Sequence, residues 1–157
     1  MYKRILVPVD GSETSNKALV TALQFARDFG GRVRLVHVME ELTYLTAYDP
    51  YGYSGDLVTV MRETAERILD QGMAMAQSAG VEADAMLFDK SGERLAETVA
   101  DAAKRWNADL IVAGTHGRRG LGRVLMGSGA EQIVRLAPVP VLVVRLPDSD
   151  SDSHAQA

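Results

Sequence analysis

The chain has 157 residues, 46% hydrophobic and 24% charged, which predicts one globular domain with a sizeable core. Its formal net charge is −4 without a broad basic surface, so nucleic acid is not expected as a partner. The absence of cysteine excludes disulfides and cysteine-ligated metals. No apolar run approaches the roughly 20 residues of a membrane span, and the N-terminus has no signal-like stretch. We therefore expect a cytoplasmic protein without membrane insertion.

Strand and helix patterns alternate along the chain. The predicted strands cover 4–9, 32–39, 81–89, 109–113 and 139–145, and the predicted helices cover 13–29, 56–79, about 91–106 and 130–136. Ser12 and Ser91 are predicted N-caps of the first and third helices, and Gly30 ends the first. Segment 40–55, which holds four tyrosines, one proline and two glycines, reads as irregular.

This order of elements predicts an α/β fold, a single-domain open five-stranded parallel sheet with helices on both faces. A Rossmann-like strand order of 3-2-1-4-5 would make the first and fourth strands neighbours. The turn 10–12 after strand one and the loop after strand four would then face each other across one crevice, where such sheets bind ligands. The turn 10–12 is also compatible with an ordinary turn followed by a helix cap.

The loop at 114–129 is the strongest candidate for a binding site. It carries six glycines and three arginines, contains no acidic residue and precedes a helix, which is how backbone amides are gathered around a phosphate. His116 lies within this loop, where a ligand contact is credible, whereas His37 is more simply explained as a packed or hydrogen-bonded strand residue. The chain has no Gly-Lys-Ser/Thr sequence and therefore no Walker motif. The dinucleotide fingerprint is also absent, because the glycine that it requires at position 125 is replaced by leucine.

Over residues 1–146 the chain resembles the universal stress protein family. The resemblance is carried by the opening run 1–12, by the strand 35–38, by the spacing Gly114-x2-Gly117-x9-Gly127-Ser128 and by the run 138–144. That glycine spacing is typical of the ATP-binding branch of the family. The resemblance implies an ATP-binding regulatory protein, usually a homodimer, without a dedicated catalytic base.

The same resemblance implies the site residues. Pro8, Val9 and Asp10 would border the nucleotide, Val38 would contact adenine, Ala113 and Gly114 would line the ribose side, and Gly117, Gly127, Ser128, Gly129 and Ala130 would receive the phosphates. Arg118 is added from its charge alone. Mg²⁺ is expected through the phosphates, with Asp10 as the candidate metal ligand.

Three functions remain open at this stage. The first is a stress-response regulator that senses adenine nucleotide and modulates a partner such as a transporter. The second is a slow metal-dependent ATPase or nucleotidyl transferase centred on Asp10. The third is a dimerising scaffold with a vestigial loop. Residues 147–157 are expected to form a disordered acidic tail outside the domain at 1–146.

Assembly is predicted from the fifth strand. Under the order 3-2-1-4-5 this apolar strand is a sheet edge, and an exposed apolar edge favours pairing with another chain. We expect an antiparallel homodimer through strand five, which could stack further into a tetramer. Leu142→Lys and Val143→Lys should test the interface.

Overall fold

The computed structural model describes residues 1–48, 55–116 and 126–147. Strands and helices alternate along these residues as predicted, except that two helices lie between the second and third strands. The elements are β1 Arg4–Pro8, α1 Glu13–Phe29, β2 Arg32–Val38, α2 Glu41–Tyr48, α3 Gly55–Ala79, β3 Ala83–Phe88, α4 Leu95–Trp106, β4 Leu110–Gly114, α5 Ser128–Leu136 and β5 Val141–Val144. The predicted boundary between a domain at 1–146 and a tail stays a prediction, because 148–157 lie outside the described residues.

All five strands are parallel, and their order is β3-β2-β1-β4-β5, which confirms the predicted topology. β1 pairs with β2 on one side and with β4 on the other, where Ile5 lies opposite Leu110 and Leu6 opposite Ile111. The strand order reverses between β1 and β4. The carboxyl ends of these two strands therefore form the crevice in which open α/β sheets bind ligands.

The core has two layers because successive strand residues point to opposite faces of the sheet. Ile5 and Val7 pack with α1 and α3 on one face, while Leu6 packs with α4 and α5 on the other. All three side chains are fully buried. Burying each contributes about 1.5–3 kcal/mol, so β1 at the centre of the sheet is firmly held.

The ends of α1 follow the sequence signals. The Ser12 side chain accepts a hydrogen bond from Ser15 N–H and so caps the helix, as predicted. Gly30 adopts a left-handed conformation with φ of 64°, and its N–H bonds back to the last turn. With both ends defined, α1 fixes the position of the turn that connects it to β1.

The segment predicted to be irregular contains a short helix, so that prediction was wrong for Glu41–Tyr48. This α2 is stabilised by contacts that are distant in sequence. Leu42 is buried and belongs to a small cluster with Met39 and Ala65, and Thr43 Oγ1 accepts a hydrogen bond from Gly92 N–H over 2.9 Å. An eight-residue helix with several aromatic side chains has too short a stripe to be found from periodicity.

Two predicted helix starts also need correction. α4 begins at Leu95 rather than after Ser91, because Ser91 and Gly92 form a turn in which Gly92 has φ of 91°. α5 begins at Ser128, two residues before the predicted start at Ala130. None of the helices in the described ranges combines the length and the apolar character needed to cross a bilayer.

Candidate functional site

The turn after β1 is closed by three hydrogen bonds. Ser12 N–H donates to Asp10 Oδ1 over 2.8 Å, Ser15 N–H donates to Ser12 Oγ over 3.2 Å, and Asp10 N–H donates to Ser15 Oγ over 3.1 Å. Gly11 completes the turn with φ of 80°. The turn at 10–12 therefore caps α1, in agreement with the interpretation of this segment as a turn followed by a helix cap. It also fixes the Asp10 carboxylate just beyond the carboxyl end of β1.

The end of β4 lies directly against the start of α1. A Cβ added to Gly114 would lie 3.0 Å from Thr14, whose side chain is buried. Only glycine lets the two backbones approach this closely. The β1–α1 turn and the segment that follows β4 therefore begin at one place, as the predicted strand order requires.

The N-terminus of α5 is docked on the end of β4 and has no side-chain cap. Its N-cap is Gly127, whose N–H donates to Thr115 O over 2.7 Å. A Cβ on Gly127 would lie only 2.7 Å from the same oxygen. The first-turn amides of a helix have no intrahelical acceptor, and they carry the positive end of the helix dipole. This combination favours an anion at Gly127–Ala130.

Among the described residues, His116 has a buried ring nitrogen without a hydrogen-bond partner. Its Nδ1 lies 3.0 Å from Thr115 Oγ1, and Thr115 N–H in turn donates to Val144 O over 2.9 Å. Within the described part of the chain, His116 Nε2 is buried and has no hydrogen-bond partner. Buried polar side chains are normally satisfied, so this nitrogen is suited to bind a ligand at the end of β4.

His37 joins the ends of β1 and β2. Its Nδ1 lies 2.7 Å from the carbonyl oxygen of Val9, which confirms that His37 is a hydrogen-bonded strand residue. Val9 N–H also donates to Val36 O over 2.9 Å. The N–H and the carbonyl oxygen of Val9 are therefore both hydrogen-bonded to β2.

The predicted site residues fall into four groups within the described chain. Pro8 ends β1 and is followed by Val9 and Asp10, and Val38 ends β2. Ala113 and Gly114 end β4 and His116 lies two residues beyond it, while Gly127 is the N-cap of α5 and Ser128, Gly129 and Ala130 are its first residues. Gly117 and Arg118 lie outside the described residues. Among residues 1–48, 55–116 and 126–147, no group of three or more histidines and carboxylates could hold a metal ion, so Asp10 is not part of such a cluster there.

Thr14, which packs against Gly114, and Ser15, which closes the β1–α1 turn, were not predicted from the sequence. The hydrogen bond by which His37 connects β2 to Val9 was not predicted either. Ser15 is only 5% exposed although it is polar and lies in the first turn of α1. Its spacing of three from Ser12 and five from Asp10 is the signal that could have identified the hydrogen-bonded turn.

Comparison with known proteins agrees with this architecture. The family model described as the universal stress protein family matches residues 1–145. A universal stress protein of Methanocaldococcus jannaschii is 32% identical over 151 residues, covering 96% of this chain and 86% of the relative. A solved structure from the universal stress protein family of Burkholderia pseudomallei is 35% identical, has a TM-score of 0.73, and is matched over 94% of this chain and 97% of its own.

A further solved structure extends the likeness of the fold. The universal stress protein of Archaeoglobus fulgidus, solved in complex with dAMP, is 24% identical with a TM-score of 0.69, and the match covers 91% of this chain and 98% of that one. The family model matches residues 1–145, and two of the relatives above are more than 30% identical over nearly the whole chain. The chain belongs to the universal stress protein family.

Proposed function

We propose that this universal stress protein binds an adenine nucleotide, with ATP as the expected ligand, in the crevice between β1 and β4. The observation that carries the proposal is the glycine-capped, open N-terminus of α5 beside the end of β4. Helix N-termini at a topological switch point are suited to phosphate groups. The complex of the Archaeoglobus fulgidus relative with dAMP supports adenine as the base.

The phosphate end of the ligand is assigned to α5. The amides of Ser128, Gly129 and Ala130 belong to its first turn, and His116 Nε2 is a buried group in need of a partner at the adjoining end of β4. The predicted contacts of Gly117 and Arg118 complete this end of the proposed site. Ala130 has no hydroxyl, so at that position only its backbone can contact a phosphate.

The nucleoside end is assigned to β1 and β2. Pro8, Val9 and Val38 lie at the carboxyl ends of these adjacent strands, and Ala113 and Gly114 lie at the end of β4 on the other side of β1. Asp10 is fixed between them by its own turn. We assign Asp10 to the ribose or to Mg²⁺, with the ion held mainly by the phosphates.

Two measurements test nucleotide binding. Purified protein is denatured and the supernatant analysed for nucleotide, and thermal melts are recorded with ATP, ADP, AMP and GTP, each with Mg²⁺. A ligand at about 100 times its dissociation constant adds about 2.7 kcal/mol of stability, which raises the melting temperature by roughly 5–11 °C for a chain of this size. The proposal would be refuted if the purified protein carried no nucleotide and its melting temperature did not shift at millimolar nucleotide.

The regulatory role is tested by what changes when nucleotide binds. We propose that the nucleotide state is reported to a protein partner, so capture of that partner should differ between nucleotide-free and ATP-saturated protein. Phosphate release is measured in parallel with wild type and Asp10→Ala. Release above buffer that disappears in Asp10→Ala while ATP binding survives would replace the regulator by an ATPase.

We further propose a homodimer through β5. β5 is one edge of the sheet, and all four of its residues are apolar, with Val141 to Val143 partly exposed. The opposite edge, β3, carries Asp84, whose side chain is 52% exposed and forms an ion pair with Arg34 on β2 over 2.6 Å. Charges on an edge strand oppose pairing, so association is directed to β5 and closes as a two-fold dimer.

Leu142→Lys and Val143→Lys differ in how specifically they test dimerisation through β5. Leu142 packs against the core on the α1 face, so Leu142→Lys also weakens the protomer. Val143 has no place in the described core clusters, and Val143→Lys is therefore the cleaner probe. Light scattering after size exclusion should give two chains for wild type and one for Val143→Lys. A wild-type mass of one chain would overturn the dimer, and a dimer that survives both changes would overturn the interface.

A further inference from the structure

The hydrogen-bond ladder between β1 and β2 lacks its last expected bond, at the carboxyl ends of the two strands. The register runs as far as Pro8 opposite Val36, and Val9 N–H then donates to Val36 O over 2.9 Å. In a parallel ladder the next bond would run from Val38 N–H to the Val9 carbonyl. That bond is missing between these described residues, although Val38 belongs to β2.

His37 supplies the donor in its place. Its Nδ1 lies 2.7 Å from Val9 O, and because a carbonyl oxygen only accepts, Nδ1 carries the hydrogen and donates it. Val38 N–H is left without an acceptor in the part of the chain that the structure describes, although Val38 is only 8% exposed. A buried backbone donor without a partner is rare and unfavourable, so it is expected to meet an acceptor in the working state.

We infer that His37 is a positioning residue that keeps Val38 N–H available for a hydrogen bond to the base of the bound nucleotide. The inference rests on the proposed function. Val38 N–H lies at the carboxyl end of β2 beside Val9, where the ligand crevice begins. A ring nitrogen of adenine is an acceptor that satisfies this donor. His37 acts through Val9 and needs no contact with the ligand.

The replacement of Val38 N–H by His37 as the donor to Val9 O is tested first, in nucleotide-free protein. Amide hydrogen exchange is followed by NMR, and the rate of Val38 is divided by that of Val36, which removes the effect of global stability. We expect Val38 to exchange at least roughly tenfold faster than Val36 in wild type. In His37→Leu the Val9 carbonyl becomes available, Val38 N–H bonds to it, and the ratio falls by about tenfold, the equivalent of one net hydrogen bond.

His37→Asn is the matched control. The Nδ2 amide of asparagine lies near the position of Nδ1 in histidine and can donate to Val9 O. The wild-type exchange ratio should therefore return in His37→Asn. Equal protection of Val38 and Val36 in wild type, or a ratio that His37→Leu leaves unchanged, would overturn the inference.

The link to the base is tested with ATP and its 1-deaza, 3-deaza and 7-deaza analogues, each of which lacks one ring acceptor. In wild type the analogue without the bonded nitrogen should bind about tenfold more weakly than ATP. In His37→Leu this discrimination should vanish, in His37→Asn it should return, and tripolyphosphate should bind all three proteins equally. Retained discrimination in His37→Leu would overturn the inference.

The proposed function and the role of His37 can be refuted separately. If wild type binds no nucleotide, the proposed function is wrong, and with it the role of Val38 N–H in base recognition. The exchange ratios of the nucleotide-free protein still decide whether His37 keeps that N–H out of the ladder.

Discussion

Ser128→Asp should separate the stability of α5 from its ability to bind phosphate. Ser128 is the first residue of α5 and is exposed. A carboxylate there complements the helix dipole and stabilises the helix by about 0.3–1 kcal/mol. For a chain of this size that raises the melting temperature of nucleotide-free protein by roughly 1–4 °C. The same carboxylate meets the phosphates of ATP at the proposed site.

The cost to binding follows from the charge. Two like charges about 4 Å apart repel by about 1 kcal/mol in water and about 4 kcal/mol near a protein surface. Because Ser128 is exposed, screening reduces this to about 1–3 kcal/mol, which weakens ATP by roughly 5- to 150-fold. The variant should therefore melt higher without ATP and show a diminished ATP-dependent shift.

The assay is isothermal calorimetry with ATP alongside thermal melts at low and high salt. Gln24→Glu is the control, since it adds the same charge at an exposed position on α1, away from the crevice. It should bind ATP as wild type does. Wild-type ATP affinity in Ser128→Asp would refute the assignment of α5 to the phosphates, because no phosphate could then lie near its first turn.

Three further predictions concern the scaffold and are read by urea unfolding. Gly72→Ala should destabilise the fold by about 1–3 kcal/mol because its Cβ would overlap the fully buried side chain of Leu35, and unchanged stability would show that Leu35 can move aside. Gly127→Ala should cost about 1–3 kcal/mol even without nucleotide, since its Cβ would meet the Thr115 carbonyl at 2.7 Å, and a loss seen only with ATP would contradict this. Asp109→Ala removes the acceptor of two backbone amides at 3.0 and 2.9 Å and should cost about 1–3 kcal/mol, whereas Asp109→Asn should restore most of it.

The strand order and α1 could be predicted because their signals are local. Alternating apolar runs and helical stripes mark each element, and Ser12 and Gly30 mark the ends of α1 by the chemistry of single residues. Once strands and helices alternate, few topologies remain, and the switch point follows. The glycine run after β4 then predicts one half of the proposed site from the sequence alone.

The remaining features depend on contacts between distant parts of the chain. α2 depends on Gly92 meeting Thr43, and the role of His37 depends on where the ladder between β1 and β2 stops. Gly72 looks like an ordinary helical glycine until Leu35 is seen against it. Neither a register nor a close approach of this kind has a signature in local sequence, since each is fixed only when two elements are packed together.

The hydrogen bond from Gly127 N–H to Thr115 O has a consequence for how this protein can change. It joins the chain just before and just after residues 116–126 and so holds the start of α5 at the end of β4. The entropy of closing a loop rises only slowly with its length, by about 0.6 kcal/mol for each doubling. Insertions and substitutions between 116 and 126 should therefore leave the sheet and α5 intact. If the proposed nucleotide site is correct, its ligand preference can therefore change in that segment with little effect on folding.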